Sequence, residues 1–257
     1  MPMLELKGVS KSFGGVMAVR NVDMSISEGE ILGLIGPNGA GKTTLFNLIT
    51  GVYRPDSGSI VFQGHNLVGL LPHQIAKLGI ARTFQNIRLF PNLTVLENVM
   101  SGRHVRTRAG LWPSILHSRG QRTEEQSIRS ASEAILTTLG LFDVRFELAR
   151  NLPYGLQRTV EIARALATEP KLLILDEPAS GLNEEESREL MDMVRSFRAG
   201  GITVLLIEHD MPVVMGISDR IVVLDNGELI AEGTPAEVQH NERVIEAYLG
   251  REEEEVS

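Results

Sequence analysis

A glycine-rich segment between an apolar run and a helix has the residue types and spacing of a phosphate-binding loop. Residues 36–44 read G-P-N-G-A-G-K-T-T and directly follow the apolar residues 31–35. Glycines let consecutive backbone N–H groups surround an anion, and the N-terminus of the next helix adds a partial positive charge. Lys42 would reach the terminal phosphates, and Thr43 would place a hydroxyl on Mg2+. The residues predicted to bind a nucleoside triphosphate here are Gly36, Asn38, Gly39, Ala40, Gly41, Lys42, Thr43 and Thr44.

Two consecutive acids follow a second apolar run. Asp176 and Glu177 come directly after residues 171–175. Successive strand residues point to opposite sides, so Asp176 is predicted to hold the Mg2+ shell while Glu177 polarises an attacking water. Without the phosphate loop, a solvated pair of acids at a strand end would be the simpler interpretation.

Gln85 and His209 complete the candidate catalytic set. Gln85 lies near the point where the strand-rich region passes into a helical one, and its amide could reach the metal or the water. His209 follows the apolar run 202–207, so it should emerge at the sheet edge where open α/β sheets bind ligands. Either residue alone would more often be structural.

Residues 152–158 open a predicted helix at 156–168 and offer a second anion site through backbone N–H groups and the helix dipole. An ordinary helix cap would explain the same residues.

These elements require a particular framework. Strand-like runs fill residues 3–35, and the later runs 171–175 and 202–207 are separated by a predicted helix at 184–198. This alternation predicts a parallel sheet with crossover helices. The predicted organisation is an α/β core at 1–84 and 171–250, an inserted helical subdomain at 85–170, and an acidic, frayed tail at 251–257.

Composition limits the function classes. The 257 residues are 42% hydrophobic, carry a net charge of −8 and include no cysteine, which excludes disulfides and cysteine-ligated metals. Among apolar runs none approaches the length of a membrane helix, and we expect no secretory signal. Together these features favour a cytoplasmic protein and argue against a nucleic-acid partner.

The order of the motifs resembles the ATP-binding-cassette (ABC) ATPases. The resemblance identifies a Walker A loop at 36–43, the Q-loop Gln85, a signature at 152–156, Walker B at 172–176 with Glu177, a D-loop at 180–183 and the switch His209. It implies a P-loop ATP-binding-cassette fold, with a RecA-like core, an antiparallel β subdomain and an inserted helical subdomain. It also implies ATP and Mg2+ as ligands. Phe13 would stack on adenine, the alternative being a core phenylalanine, and Pro153, Tyr154 and Gly155 would face ATP on a second subunit.

Residues 151–155, 161–170, 207–211, 214–220 and 244–250 resemble the ATP-binding subunits of branched-chain amino acid importers. This implies a peripheral protein at the cytoplasmic face of the inner membrane. The implied partners are transmembrane permease subunits, a second ABC ATPase subunit and, indirectly, a periplasmic binding protein. Urea import, lipopolysaccharide export and a soluble, non-transport ABC ATPase are the alternatives, with a kinase disfavoured.

The signature departs from the family's Leu-Ser-Gly-Gly-Gln. Pro153 replaces the serine, and Leu156 replaces the glutamine. Proline offers neither a hydroxyl nor an N–H, so one charge-assisted contact worth about 1.5–3 kcal/mol is lost. We therefore favour a heterodimer with two unequal ATP sites over a homodimer.

Residues 101–123 contain five arginines, at 103, 106, 108, 119 and 122, the only tryptophan at 112, and no acid. A solvated basic loop is the simplest interpretation. A surface near anionic lipid is the sharper hypothesis, because each basic residue there adds about 1 kcal/mol.

Overall fold

The structure is a computed structural model that describes residues 2–103 and 119–255, with side chains described at 2–103 and 123–248. The chain divides into two compact units. The first unit consists of Met1–Ile75 and Ile174–Ser257, and the second unit is Ala76–Leu173. Residues 104–118, which include most of the basic segment, lie outside the described residues.

An antiparallel sheet forms the start of the first unit. Its strands are β1 (Leu4–Phe13), β2 (Val16–Ile26), β4 (Ser57–Phe62) and β5 (His65–Asn66), in the order β2-β1-β4-β5. On β1 the buried residues Leu4, Leu6 and Val9 face the core. Leu4 lies opposite Ile26 of β2 on one side and Phe62 of β4 on the other.

In the second sheet, several strands end at candidate site residues. Its strands are β3 (Ile31–Ile35), β7 (Leu172–Asp176), β8 (Thr203–Ile207), β9 (Arg220–Asp225) and β10 (Glu228–Gly233). They lie in the order β10-β9-β3-β8-β7, with β3 parallel to both β8 and β9. Every residue of β3, β7 and β8 is buried, as expected for strands covered on both faces. Strand β6 (Ile80–Arg82) belongs to the second unit, where Gly79 accepts hydrogen bonds from the N–H groups of Lys171 and Leu172 at 2.8 and 3.1 Å.

Helices connect or follow these strands along the chain. They are α1 (Lys42–Ile49), α2 (Pro72–Leu78), α6 (Glu184–Ala199), α7 (Met211–Ile217), α8 (Pro235–Gln239) and α9 (Glu242–Glu255). Asn183 caps α6 by accepting from the N–H groups of Glu185 and Glu186, while the Glu186 carboxylate accepts from the Asn183 N–H. This capping box explains why α6 begins directly after the 180–183 loop.

The second unit is built on α3 (Val95–Arg103), α4 (Arg119–Thr138) and α5 (Tyr154–Leu166). Its core contains Val95, Val99, Leu136, Leu141 and Val160, all fully buried. Three helices therefore share one small apolar core in this unit.

The predicted α/β architecture, with an antiparallel sheet, a second sheet with parallel central strands and a helical segment, is confirmed. The edge strand β10 of the second sheet is antiparallel to β9. Two local predictions were wrong. Helix α5 begins at Tyr154 instead of 156, with Pro153 as its N-cap residue. The 251–257 tail was expected to fray, but α9 continues through Glu255. Of the helices described, none is long and apolar enough to cross a membrane.

Candidate functional site

The glycines of the 36–44 loop are required by close backbone approaches. Gly36 has φ of +151°, and a Cβ there would collide with the carbonyl oxygen of Leu224 on β9. Gly41 has φ of +103°, and its Cβ would collide with the carbonyl oxygen of Ala18. The loop is thus pressed against β2 and β9, and only glycine permits this conformation at either position.

The Lys42 side chain folds back onto the start of the loop. Its Nζ donates to the carbonyl oxygens of Gly36 at 2.5 Å and Pro37 at 3.1 Å, and the residue is only 7% exposed. Thr43, one residue further along α1, is exposed. The loop therefore concentrates a buried positive charge at the N-terminus of a helix, which is the electrostatic environment that an anion requires.

The two candidate carboxylates differ in backbone conformation. Asp176 is the last residue of β7 and is 8% exposed. Glu177 leaves the strand with φ of +45°, a left-handed conformation that is uncommon outside glycine. Its N–H donates to the carbonyl oxygen of Ile207, the last residue of β8, at 2.8 Å. The turn at Glu177 is therefore fixed to the end of the neighbouring strand.

The structure brings Glu177 and His209 together. The Nδ1 atom of His209 lies 3.5 Å from Oε2 of Glu177 and 3.9 Å from Oε2 of Glu208. The His209 side chain is 58% exposed, whereas that of Glu177 is 18% exposed. An exposed imidazole beside a partly buried carboxylate can contact a bound ligand while the carboxylate accepts a proton.

Phe13 ends β1 at an exposed aromatic corner. It is 42% exposed, and its ring meets that of Tyr53 edge-on, with 5.1 Å between centroids. The Lys11 ammonium lies 5.4 Å from the Phe13 ring centroid. Lys11 also donates to Asp56 at 2.7 Å, and this bond, with the Ser12 N–H, lowers the pKa of Asp56 to about 2. An exposed, oriented ring suits stacking on a planar base.

In the second unit, Gln85 is joined to the signature helix through its backbone. The guanidinium of Arg158 on α5 donates to the carbonyl oxygens of Phe84 at 2.7 Å and Gln85 at 2.8 Å. It also donates to the Tyr154 hydroxyl at 3.2 Å and to Glu161 at 3.1 Å. One buried side chain thus positions both Gln85 and the candidate ligand Tyr154.

Glu161 is the carboxylate that pairs with Arg158 in this hydrogen-bond network. It is fully buried, and it accepts from the Arg88 N–H at 3.1 Å and lies 3.7 Å from Arg164. Burial raises the pKa of the Glu161 carboxyl, while the Arg88 N–H and the charges of Arg158 and Arg164 oppose that rise.

Comparison with known proteins decides the family. A family profile described as ABC transporter matches residues 19–180. The chain belongs to the ABC transporter family. A second profile, described as branched-chain amino acid ATP-binding cassette transporter, matches residues 228–254.

Individual relatives agree with this assignment. The high-affinity branched-chain amino acid transport ATP-binding protein LivG of Salmonella typhimurium is 46% identical over 250 residues, covering 97% of this chain and 98% of LivG. The structure of the ADP conformation of MJ1267, an ATP-binding cassette of an ABC transporter, matches with a TM-score of 0.85 and 33% identity, over 97% of this chain and 99% of that one. A dimeric post-hydrolysis state of the ATP-binding cassette MJ0796, bound to ADP and Pi, matches with a TM-score of 0.77 and 28% identity, over 91% and 99%.

The family assignment confirms the predicted ATP-binding-cassette fold and the prediction that the chain is an ATPase. Within the ABC cassette, Asp176, Glu177 and His209 lie at the ends of β7 and β8, and the phosphate loop follows β3 between β8 and β9. Pro153 precedes α5, and Tyr154 and Gly155 lie in its first turn. The assignment of each residue to a ligand remains a prediction.

Sequence reasoning missed three residues of this ABC cassette. Tyr53 orients Phe13, Arg158 holds the backbone of Gln85, and Glu208 lies beside His209. Arg158 and Glu208 are each buried almost completely. The available signal was a charged residue within an apolar helix face or directly after an apolar strand.

Proposed function

We propose that this chain is the ATP-binding and hydrolysing subunit of an ABC importer for branched-chain or other hydrophobic amino acids. The observation that carries hydrolysis is the 3.5 Å approach of Glu177 to His209 at the ends of adjacent strands. The solute class rests on the similarity to LivG along nearly the whole chain.

Each residue then has a role in hydrolysis. Lys42 and the N–H groups of the loop hold the phosphates, with Phe13 stacked on adenine. Glu177 accepts a proton from water as the water oxygen forms a bond to the γ-phosphorus, and the bond to the bridging oxygen of ADP breaks. His209 contacts the γ-phosphate and stabilises the charge that develops there.

Mg2+ fits the donor set of this site. The described residues hold no group of three or more histidines, aspartates or glutamates that could bind a metal alone. A hard cation at this site would therefore share ligands with the phosphates, as Mg2+ does in phosphoryl-transfer enzymes. The hydroxyl of Thr43, the amide of Gln85 and the carboxylate of Asp176 would complete its shell. Mg2+ would neutralise charge on the phosphate oxygens.

A second ABC ATPase subunit and transmembrane permease subunits are the proposed partners. The signature of one subunit would face ATP on the other, and the pair would lie at the cytoplasmic face of the inner membrane. Pro153 has no hydroxyl and is the N-cap residue of α5 without a side-chain hydrogen bond. A partner with a regular signature would give one strong and one weak composite site, which favours a heterodimer.

Substitution of Glu177 by glutamine tests the function. Glu177→Gln in the assembled transporter should bind ATP normally but reduce ATP turnover and leucine uptake into proteoliposomes at least 100-fold, because the general base is lost. Glu189→Gln is the matched control, since Glu189 is an exposed acid on α6 outside the site. Undiminished hydrolysis by Glu177→Gln would exclude Glu177 as the base. Normal hydrolysis without amino acid uptake would refute the solute assignment.

The same transporter tests the unequal sites. Disabling the general base of each ATPase subunit in turn should reduce turnover to different extents. Equal losses would contradict the heterodimer with a weak site.

A further inference from the structure

One buried carboxylate joins the loop after β7 to the loop after β8. Glu208 is fully buried, and its Oε1 accepts from the Ala179 N–H at 2.7 Å. Its Oε2 accepts from the His209 N–H at 3.2 Å, with the Asp210 N–H at 3.4 Å. The side chain therefore connects the segment that follows Glu177 with the segment that carries His209.

This connection requires two acceptor oxygens. The N–H groups of Ala179 and His209 approach different oxygens of Glu208, and a carboxylate is the side chain that accepts at both ends. Glutamine has the same size, but one of its ends is a donor and would face a donor. Burial raises the pKa of the Glu208 carboxyl, and the N–H groups of Ala179 and Asp210 oppose that rise.

The joined loops carry the proposed general base, Glu177, and the proposed γ-phosphate contact, His209. The Nδ1 atom of His209 is 3.5 Å from Glu177 and 3.9 Å from Glu208, so the imidazole lies between two carboxylates. The Ser180 N–H donates to the Glu177 carbonyl oxygen at 3.2 Å, so the loop held at Ala179 also shapes the turn at Glu177. A shift of one loop relative to the other would change the separation of base and imidazole. Displacements of about 1 Å can reduce a rate about 100-fold.

We propose that Glu208 is a positioning residue for ATP hydrolysis, whose carboxylate fixes the loop after β7 to the His209 loop; this inference rests on the proposed function. Its hydrogen bonds come from the N–H groups of Ala179, His209 and Asp210. It acts through the backbone of Ala179 and His209.

Substitution of Glu208 by glutamine is the direct test. In ATPase assays of the assembled transporter, Glu208→Gln should lower kcat at least about tenfold while KM for ATP stays within about twofold, because the phosphate loop is untouched. Asp210→Asn is the matched control. It removes a charge one residue from His209 but keeps an N-cap for α7, since asparagine caps as well as aspartate. It should retain wild-type kcat.

The split between kcat and KM separates positioning from a general structural role. A wild-type kcat for Glu208→Gln would overturn the proposal. A lower kcat together with a higher KM for ATP and a lower thermal midpoint would also overturn it, because that pattern indicates a general structural role. If Glu208→Gln does not fold, Glu208→Asp keeps the charge but is one methylene shorter, so it cannot reach both loops, and the same split is expected. Failure of the wild-type transporter to hydrolyse ATP would instead refute the proposed function.

Discussion

Replacing Arg158 by methionine should release the backbone at Gln85 from the signature helix. Arg158 is 1% exposed and donates to the carbonyl oxygens of Phe84 and Gln85, to the Tyr154 hydroxyl and to Glu161. Methionine fills similar space but donates nothing, so all four bonds are lost together.

The magnitude follows from the charge that is left behind. Removing one partner of a buried ion pair costs about 3–5 kcal/mol, because the other charge stays buried without compensation. Glu161 keeps the Arg88 N–H at 3.1 Å and the Arg164 guanidinium at 3.7 Å. We therefore expect Arg158→Met to lower the free energy of unfolding of the second unit by about 3 kcal/mol, the lower end of the range.

Hydrogen exchange of the α5 amides measures this loss, and ATPase assays report its functional consequence. In Arg158→Met the α5 amides should exchange faster than in the wild type. The variant should also need more Mg2+ for half-maximal ATP turnover, since the backbone of Gln85 is no longer fixed. Adding Glu161→Gln should recover part of the stability, because the uncompensated charge is removed. The loss should also be smaller near the ordinary carboxyl pKa of 4.5 than at pH values well above it. A buried carboxyl whose pKa is raised is stabilised in its protonated form, and this contribution disappears as pH rises through the folded-state pKa.

Two results would refute this reasoning. The first is an Arg158→Met protein with unchanged exchange and unchanged Mg2+ dependence. The second is a Glu161→Gln substitution that adds to the damage, since that would mean the charge of Glu161 is compensated without Arg158.

Two further predictions concern the aromatic corner. Phe13→Ala should weaken ATP binding about 5- to 150-fold, because one base–aromatic stack worth about 1–3 kcal/mol is lost. Phe146→Ala is the control: Phe146 is a 58% exposed aromatic of the second unit, and its loss should leave the Kd for ATP unchanged. An equal Kd in both variants would remove Phe13 from the site. In an NMR titration, the pKa of the Asp56 carboxyl should be about 2. Its bond to Lys11 should therefore stabilise the fold fully above pH 3.8, the ordinary pKa of the group, and this stabilisation should be lost as the pH falls towards about 2. A titration midpoint near 3.8, or an Asp56→Asn protein with unchanged acid stability, would contradict this prediction.

The sheet was predictable because its strands are marked by composition. Residues 172–175 and 202–207 are largely apolar runs bounded by charged or glycine residues, and the strands within them, β7 and β8, are buried throughout. The start of α5 was less predictable. A proline without a side-chain acceptor is an unusual N-cap residue, and Tyr154 and Gly155 are weak helix formers, so the apolar spacing only became clear two residues later.

The supporting residues depend on contacts between distant parts of the chain. Glu208 accepts from Ala179, 29 residues away, and Arg158 donates to Gln85, 73 residues away. From their neighbours in the sequence alone, Glu208 and Arg158 would be predicted to be solvent-exposed. Their burial depends on the packing of a distant segment. The local signal is a charged residue within an apolar helix face or directly after an apolar strand, and this signal does not identify the distant partner.

The position of Glu177 has a different geometric origin from the one that strand alternation predicts. Strand alternation predicts that the carboxylates of Asp176 and Glu177 point to opposite sides. In the structure, the alternation ends at Asp176, and Glu177 adopts a left-handed φ of +45°, which costs of the order of 1–3 kcal/mol for a residue other than glycine. The bonds from its N–H to Ile207 and from Ser180 to its carbonyl oxygen hold that conformation. Glycine would relieve the strain at this position but would remove the carboxylate.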